Sequence, residues 1–473
     1  MTSAEQTYDV IVIGAGSTGE NVADIAVRGG LSAVLVESAL VGGECSYWAC
    51  MPSKTLLRGS EVLGQARAVA GAAAAVTGEQ DVAATLERRN GMTSHWDDAG
   101  QVSWVEGAGI ALVRGTGRLA GEKRVVVTHA DGSGTTLVAR HAVAVCTGSR
   151  AAVPPVEGIA DARPWTPKEG TSAQSAPGRL VVIGGGYVGC ELATAWSQLG
   201  SAVTLLQRGQ RLLPALEPVA GETVLASLRR LGVDVRLGAD VRAARRDGDE
   251  VVVTTADGEV RADELLVAVG RAANTDELGL DTVGLTPGEY LDVDESLRVP
   301  GTDWLYGVGD VNRRQQLTHM GKYQARQAGN AIVARARGEE PDLADWSPHV
   351  ATADRLATPS VVFTDPPIGA VGVTAAQAVD AGLPHRVVEY PIGNVAGAAV
   401  FADGYTGTAV AVVDTEREVL LGVTFVGPGV TELLHSATIA IVGEVPLARL
   451  WHAVPSYPTI SEVWLRLLET YRG

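Results

Sequence analysis

The sequence predicts an α/β protein built around two strand–turn–helix–strand units, and three observations predict it. An apolar run, Tyr8 to Ile13, leads into Gly14-Ala15-Gly16-Ser17-Thr18-Gly19. A second run, Arg179 to Ile183, leads into Gly184-Gly185-Gly186-Tyr187-Val188-Gly189. Between them, directly after the first unit, Cys45 and Cys50 stand five residues apart in a chain with four cysteines.

The first unit reads element by element. A continuous apolar run is expected of a strand buried on both faces. A helical stretch follows to about Arg28, and the strand Ala33 to Val36 ends at Glu37. Gly14, Gly16 and Gly19 permit the tight turn and the close approach of a pyrophosphate, seated with Ser17 at the helix N-terminus. Glu37 is placed to accept hydrogen bonds from a ribose. In the second unit Gly184, Gly186 and Gly189 repeat the turn. Its second strand, Ala202 to Leu206, ends at Gln207, followed by Arg208 and Arg211. A missing acid with arginines nearby suits the 2′-phosphate of NADPH, with NADH the alternative if those arginines are solvated loop charges.

In an ideal helix, residues five apart have Cα atoms roughly 8–9 Å apart. A disulfide needs about 4.4–6.8 Å, so a Cys45–Cys50 bridge requires irregular backbone between them. Lys54 would share a helical face with Cys50, and a nearby cation favours a thiolate. Spacing alone leaves open two buried thiols that never meet. A zinc half-site finds no completing cysteine or histidine pair, so no metal is expected.

A length of 473 residues implies two to four domains. Hydrophobic content of 46% with 20% charge suits a soluble protein. Net charge −17 argues against nucleic acid or an anionic membrane as the main partner. Met1 to Thr7 lacks a signal pattern, and no apolar run approaches the roughly 20 residues that span a bilayer. The expectation is a cytoplasmic protein, where a disulfide is catalytic rather than structural.

With these motifs in place, the chain resembles the pyridine nucleotide–disulfide oxidoreductases, a family that includes glutathione reductase, dihydrolipoamide dehydrogenase and mercuric reductase. The likeness covers nearly the whole chain. Gly42 to Lys54 resembles the disulfide signature, including Pro52-Ser53-Lys54. Ala144 to Ser149 resembles the end of the first flavin segment, Val269 to Asn274 the return from the nicotinamide domain, and Tyr306 to Val311 the second flavin motif. Phe363 to Ile368 resembles the start of a dimerisation domain.

The resemblance implies an FAD enzyme with two Rossmann-like dinucleotide-binding domains and a C-terminal α+β dimerisation domain. It assigns 1–150 and 274–341 to FAD, 151–273 to NAD(P), and 342–473 to dimerisation. Cys50 would be the thiol beside the flavin and Cys45 the one that meets substrate. Lys54 and Glu191 match the ion pair at the flavin's reactive edge, and Tyr187 the aromatic that shields the flavin where nicotinamide enters. Gly43, Gly117, Thr147, Gly148, Asp310, Leu317, Thr318 and His319 fall at flavin positions, with Asp310 on the ribityl chain. Gly270 falls at a nicotinamide-domain position. Cys146 and Cys190 read as core residues.

One position departs. Where the disulfide-reducing members carry a histidine paired with a glutamate, this chain has Tyr457 and Glu462. A phenol with a pKa near 10 is a poor base at neutral pH, so ordinary disulfide reduction lacks its proton relay. His452, five residues upstream, is the alternative proton carrier, though it lacks the matching spacing to Glu462. Mercuric reductases also carry tyrosine there, but no cysteine follows Cys190 here to deliver a metal ion. Tyr47, Trp48 and Tyr457 suggest an aromatic substrate mouth, or simple packing.

The expected function is transfer of electrons from NADPH through FAD to Cys45–Cys50 and on to a small acceptor (a disulfide, a quinone or similar) by a homodimer with its site at the subunit interface. Alternatives are a mercuric-reductase-like enzyme, a quinone reductase that bypasses the cysteines, and a non-enzymatic flavin-binding component. Gly64 to Ala84 reads as a helical surface excursion, and Pro154-Pro155 and Pro164 to Pro177 as linker.

Overall fold

The computed structural model describes residues 5–473. Residues 1–4, which belong to the expected first FAD segment and to the stretch read for a signal, lie outside the described residues. The chain forms two compact units. One comprises Met1–Met51, Asn90–Ala151 and Arg271–Arg355; the other comprises Pro52–Arg89, Ala152–Gly270 and Leu356–Gly473.

The first unit is organised by a seven-stranded sheet. Strand Glu5–Ile13 lies between Ala33–Glu37 and Gly134–Val145, parallel to both, and Ala111–Arg114 extends the parallel set. Gly134–Val145 also pairs with Arg124–Thr128 antiparallel and with Leu305–Gly307 parallel. Alternation along the central strands divides the core. Val10, Val12, Leu35 and Ala144 pack with residues of helices Ser17–Arg28 and Thr318–Ala336. Ile11, Ile13, Val34 and Val145 fill a second cluster. Gly329 lets those two helices approach, because a Cβ there would lie 2.6 Å from Ile25.

The second unit holds a four-stranded parallel sheet in the order Asp234–Leu237, Ala202–Gln207, Arg179–Ile183, Glu264–Val267. It also holds a three-stranded antiparallel sheet over residues 241–262 and a five-stranded antiparallel sheet over residues 359–426. Both glycine turns therefore follow a strand paired in parallel on both sides and open a helix, Ser17–Arg28 and Tyr187–Gln198. Among the described residues no helix is long and apolar enough to cross a membrane.

Two local readings change. Inside the expected linker, residues 167–172 form a helix, started by a capping box in which Thr166 and Glu169 bond each other's backbone ends and Pro167 opens the first turn. In the alanine-rich stretch, helix Cys50–Arg67 ends early, Ala70–Ala73 is a single short turn, and helix Val82–Met92 begins only at its end. Gly71 and Gly78 and a lack of buried residues leave little to hold a longer helix.

Candidate active site

The cysteine segment is two helices, not one. Helix Gly43–Tyr47 carries Cys45 and stops at Trp48, whose φ of −138° is not helical; helix Cys50–Arg67 begins two residues later. The break brings the two sulfurs into hydrogen-bonding contact, which spacing alone could not decide. Both are free thiols and only part-buried. The Cys50 sulfur next to it, and then burial, raise the Cys45 pKa; Thr318 and Lys322 oppose this. Cys50 Sγ also lies 3.2 Å from the Thr318 hydroxyl, at the start of helix Thr318–Ala336. Leu317 is the N-cap of that helix and His319 is exposed on it.

The residues expected at FAD fit such a group. Gly14 has φ +100°, and a Cβ there would lie 2.4 Å from the Cys146 carbonyl. Gly16 caps helix Ser17–Arg28 without any side-chain bond, leaving the first-turn N–H groups for a phosphate. Gly19 packs on Gly14, where a Cβ would meet its carbonyl oxygen. Glu37 closes the turn by accepting from the N–H groups of Ala15 and Ala39, each at 2.7 Å. Thr147 Oγ1 is buried with no hydrogen-bond partner, as expected of a hydroxyl awaiting a ligand. Gly148 has φ +69°, and its carbonyl accepts the N–H of Asn274. Asp310 accepts from the Ser149 hydroxyl at 2.5 Å. Arg271 donates to that hydroxyl at 2.5 Å and to the carboxylate of Glu44. Gly117 lies within strand Thr116–Leu119, facing Val36 and Ile13.

Sequence reasoning missed Gln324, which is fully buried behind the Asp310 segment. Its Oε1 accepts from the Gly309 N–H and from Asn312, both at 2.8 Å, and its amide donates to Asp354 at 2.9 Å. No spacing rule joins residues 309 and 324; only the folded helix brings them together.

In the second unit the turn Gly184–Gly189 repeats the first. Gly184 has φ +113° and Gly189 packs on its carbonyl. Gly186 caps helix Tyr187–Gln198, again with no side-chain bond. Gln207 occupies the place of Glu37: it accepts from the Gly185 N–H at 3.0 Å and donates to the Arg211 carbonyl at 3.1 Å. Arg208 is exposed. Arg211 donates to the carbonyls of Pro214 and Leu216, at 2.7 and 3.3 Å, so its guanidinium is already engaged. Gly270 has φ +149°, and its carbonyl accepts from Ala152.

Lys54 lies one turn along the helix that Cys50 begins, and its ammonium bonds Glu191 at 2.6 Å. Glu191 is 4% exposed and also accepts the N–H of Phe363 at 3.0 Å. The Tyr187 hydroxyl lies 3.5 Å from Ser360, and burial raises its pKa. Tyr457 is 77% exposed, whereas Glu462 is buried and bonded to Arg466 at 2.7 Å. The structure does not pair Tyr457 with Glu462 by a hydrogen bond. Tyr47 is buried.

Residues 8–331 match the family described as pyridine nucleotide-disulphide oxidoreductase, and residues 358–467 match its dimerisation domain. The dihydrolipoyl dehydrogenase of Haloferax volcanii is 30% identical, over 98% of this chain and 96% of its own length. The mercuric reductase of Shigella flexneri is 32% identical, over 98% of this chain and 80% of its own. In fold, the chain is similar to the HOCl-induced flavoprotein disulfide reductase RclA from Escherichia coli, with TM-score 0.82, 24% identity, and 98% of this chain and 99% of that one covered. LpdA from Mycobacterium tuberculosis gives the same TM-score of 0.82, identity of 24% and coverage of 98% and 99%.

Proposed function

Because the chain belongs to the pyridine nucleotide–disulphide oxidoreductases, a family of FAD-dependent enzymes acting on sulfur groups, we propose that it oxidises NADPH and uses the electron pair to open a Cys45–Cys50 disulfide, whose thiols then reduce a small-molecule acceptor. The observation that supports this most is the helix break at Trp48–Ala49, which sets two part-buried sulfurs side by side. Overall, NADPH and one proton yield NADP⁺ and two thiols as the sulfur–sulfur bond breaks. The acceptor later takes two electrons and two protons as the bond re-forms. FAD, when bound, supplies the two-electron relay between nicotinamide and sulfur.

The chain's own residues do the rest. Gly14, Gly16, Gly19, Glu37, Thr147 and Asp310 would hold FAD, and Gly184, Gly186, Gly189, Gln207 and Arg208 the coenzyme. Thr318 steadies the Cys50 sulfur, while Cys50 and burial raise the pKa of the Cys45 thiol. The dimerisation domain supports a homodimer; there, Tyr457 and Glu462 of one subunit would face the thiols of the other. With a phenol at 457, a quinone, which has no leaving thiolate to be protonated, is favoured over a lipoamide-type disulfide.

Thiol counting tests the reading. Under NADPH without oxygen, the FAD-loaded enzyme should gain two titratable thiols, and Cys45→Ser or Cys50→Ser should gain none. A wild-type count that NADPH leaves unchanged overturns it. Full turnover by Cys45→Ser with every disulfide and quinone tried would instead mark an enzyme that bypasses its cysteines.

A further inference from the structure

Ser94, His95 and Trp96 have φ of 50°, 50° and 58°, three successive non-glycine residues in the left-handed region. L-residues avoid that region, and the surrounding structure must hold such a run in place. What holds it is the cysteine segment. At the C-terminal end of helix Gly43–Tyr47, the Trp96 indole Nε1–H donates to the Tyr47 carbonyl at 3.1 Å. On the N-terminal side, the Asp98 carboxylate accepts the Val41 N–H at 2.7 Å and is fixed in turn by Arg114 at 2.5 Å. Asp98 stands at the N-cap of helix Ala99–Gly107 yet makes no capping bond there; its carboxylate is turned to the cysteine segment instead.

The two tethers therefore grip the Cys45 helix at both ends. In an unbroken helix the Tyr47 carbonyl would accept from the amide four residues on. Where the helix stops, its last carbonyls need other donors, and Trp96 provides one. The break is also what a bridge requires, since continuous helix holds the two Cα atoms too far apart.

We propose that the turn 94–98 is a clamp, with Trp96 and Asp98 as positioning residues that hold the Cys45 helix stopped at Tyr47, with Cys45 against Cys50, and so set the Cys45–Cys50 reduction potential. This rests on the disulfide reading above. Without the clamp the helix is free to extend through Trp48 and Ala49, which favours the dithiol. Reduction then breaks the sulfur–sulfur bond with two electrons and two protons from a dithiol buffer more readily than in the wild type.

The test equilibrates the FAD-loaded enzyme in dithiothreitol redox buffers and counts thiols. Trp96→Phe, which keeps a ring and loses only the N–H donor among its polar groups, should shift the equilibrium roughly tenfold toward dithiol, about 30 mV. Asp98→Ala should shift it in the same direction. Trp104→Phe, an exposed tryptophan on the following helix, should leave it unchanged. If Trp96→Phe and Asp98→Ala both stay within twofold of wild type, the clamp is overturned while the disulfide stands. Should Trp96→Phe fail to fold, Asp98→Ala decides by the same criterion. A wild type that never forms the bridge overturns both readings.

Discussion

Arg466 holds Glu462: the guanidinium donates to one carboxylate oxygen at 2.7 Å, one turn along the chain. The other oxygen, Oε2, is buried without a hydrogen-bond partner. The carboxylate that would orient a proton-relay ring is thus present and half occupied, while position 457 offers an exposed phenol.

Tyr457→His should therefore raise turnover of a lipoamide-type disulfide at least severalfold, toward the roughly 10²–10⁴-fold that general acid–base catalysis contributes. Steady-state assays, with Tyr457→Phe as the control, check it. A rise no larger than that of the control would mean proton transfer does not limit this chemistry.

Burial pushes the Glu20 carboxyl up to about 7, against the pull of Lys322 and with a smaller push from Glu37. Its folded value lies above the ordinary 4.5, so the protonated form is the one folding prefers. Its stability contribution is full below about 4.5, falls as the pH rises through about 7, and is flat above that. Asp354, also raised to about 7 by burial, adds to the same window. Glu20→Gln should gain about 1–3 kcal/mol over wild type at pH 8 and little at pH 4. Urea midpoints at several pH values measure this; parallel profiles for the two proteins would refute it.

Arg208 and Arg211 should separate when mutated. Arg208→Ala should raise the KM for NADPH about tenfold or more, the scale of one charge-assisted hydrogen bond, and leave NADH untouched. Arg211→Ala should instead lower stability, since its guanidinium serves the Pro214 and Leu216 carbonyls. Ratios of kcat/KM for the two coenzymes decide; equal losses with both would remove Arg208 from 2′-phosphate recognition.

What the sequence made legible is what local rules govern. Both glycine turns open helices after parallel strands, because strand burial and positive φ at Gly14 and Gly184 leave a signature within a few residues. The expected irregular backbone between Cys45 and Cys50 is the break at Trp48. Thr166 to Glu169 carried a legible capping box that prolines obscured. Trp96, Asp98 and Gln324 were not legible, since their partners lie tens of residues away or across a helix and carry no spacing. Nor was the competition for Glu462 and Arg211, which are engaged by Arg466 and by two backbone carbonyls.

The nucleotide turn and the sulfur-bearing helix meet without side chains. The Gly42 N–H donates to the Ala15 carbonyl at 2.8 Å, and a Cβ on Gly43 would sit 2.8 Å from the Gly16 Cα. Backbone touching backbone has no rotamer to absorb a displacement. The Gly14–Gly19 turn and the Cys45 helix are therefore in direct backbone contact. A side chain larger than hydrogen at Gly43 would have to part the two, because the joint leaves no slack between its faces.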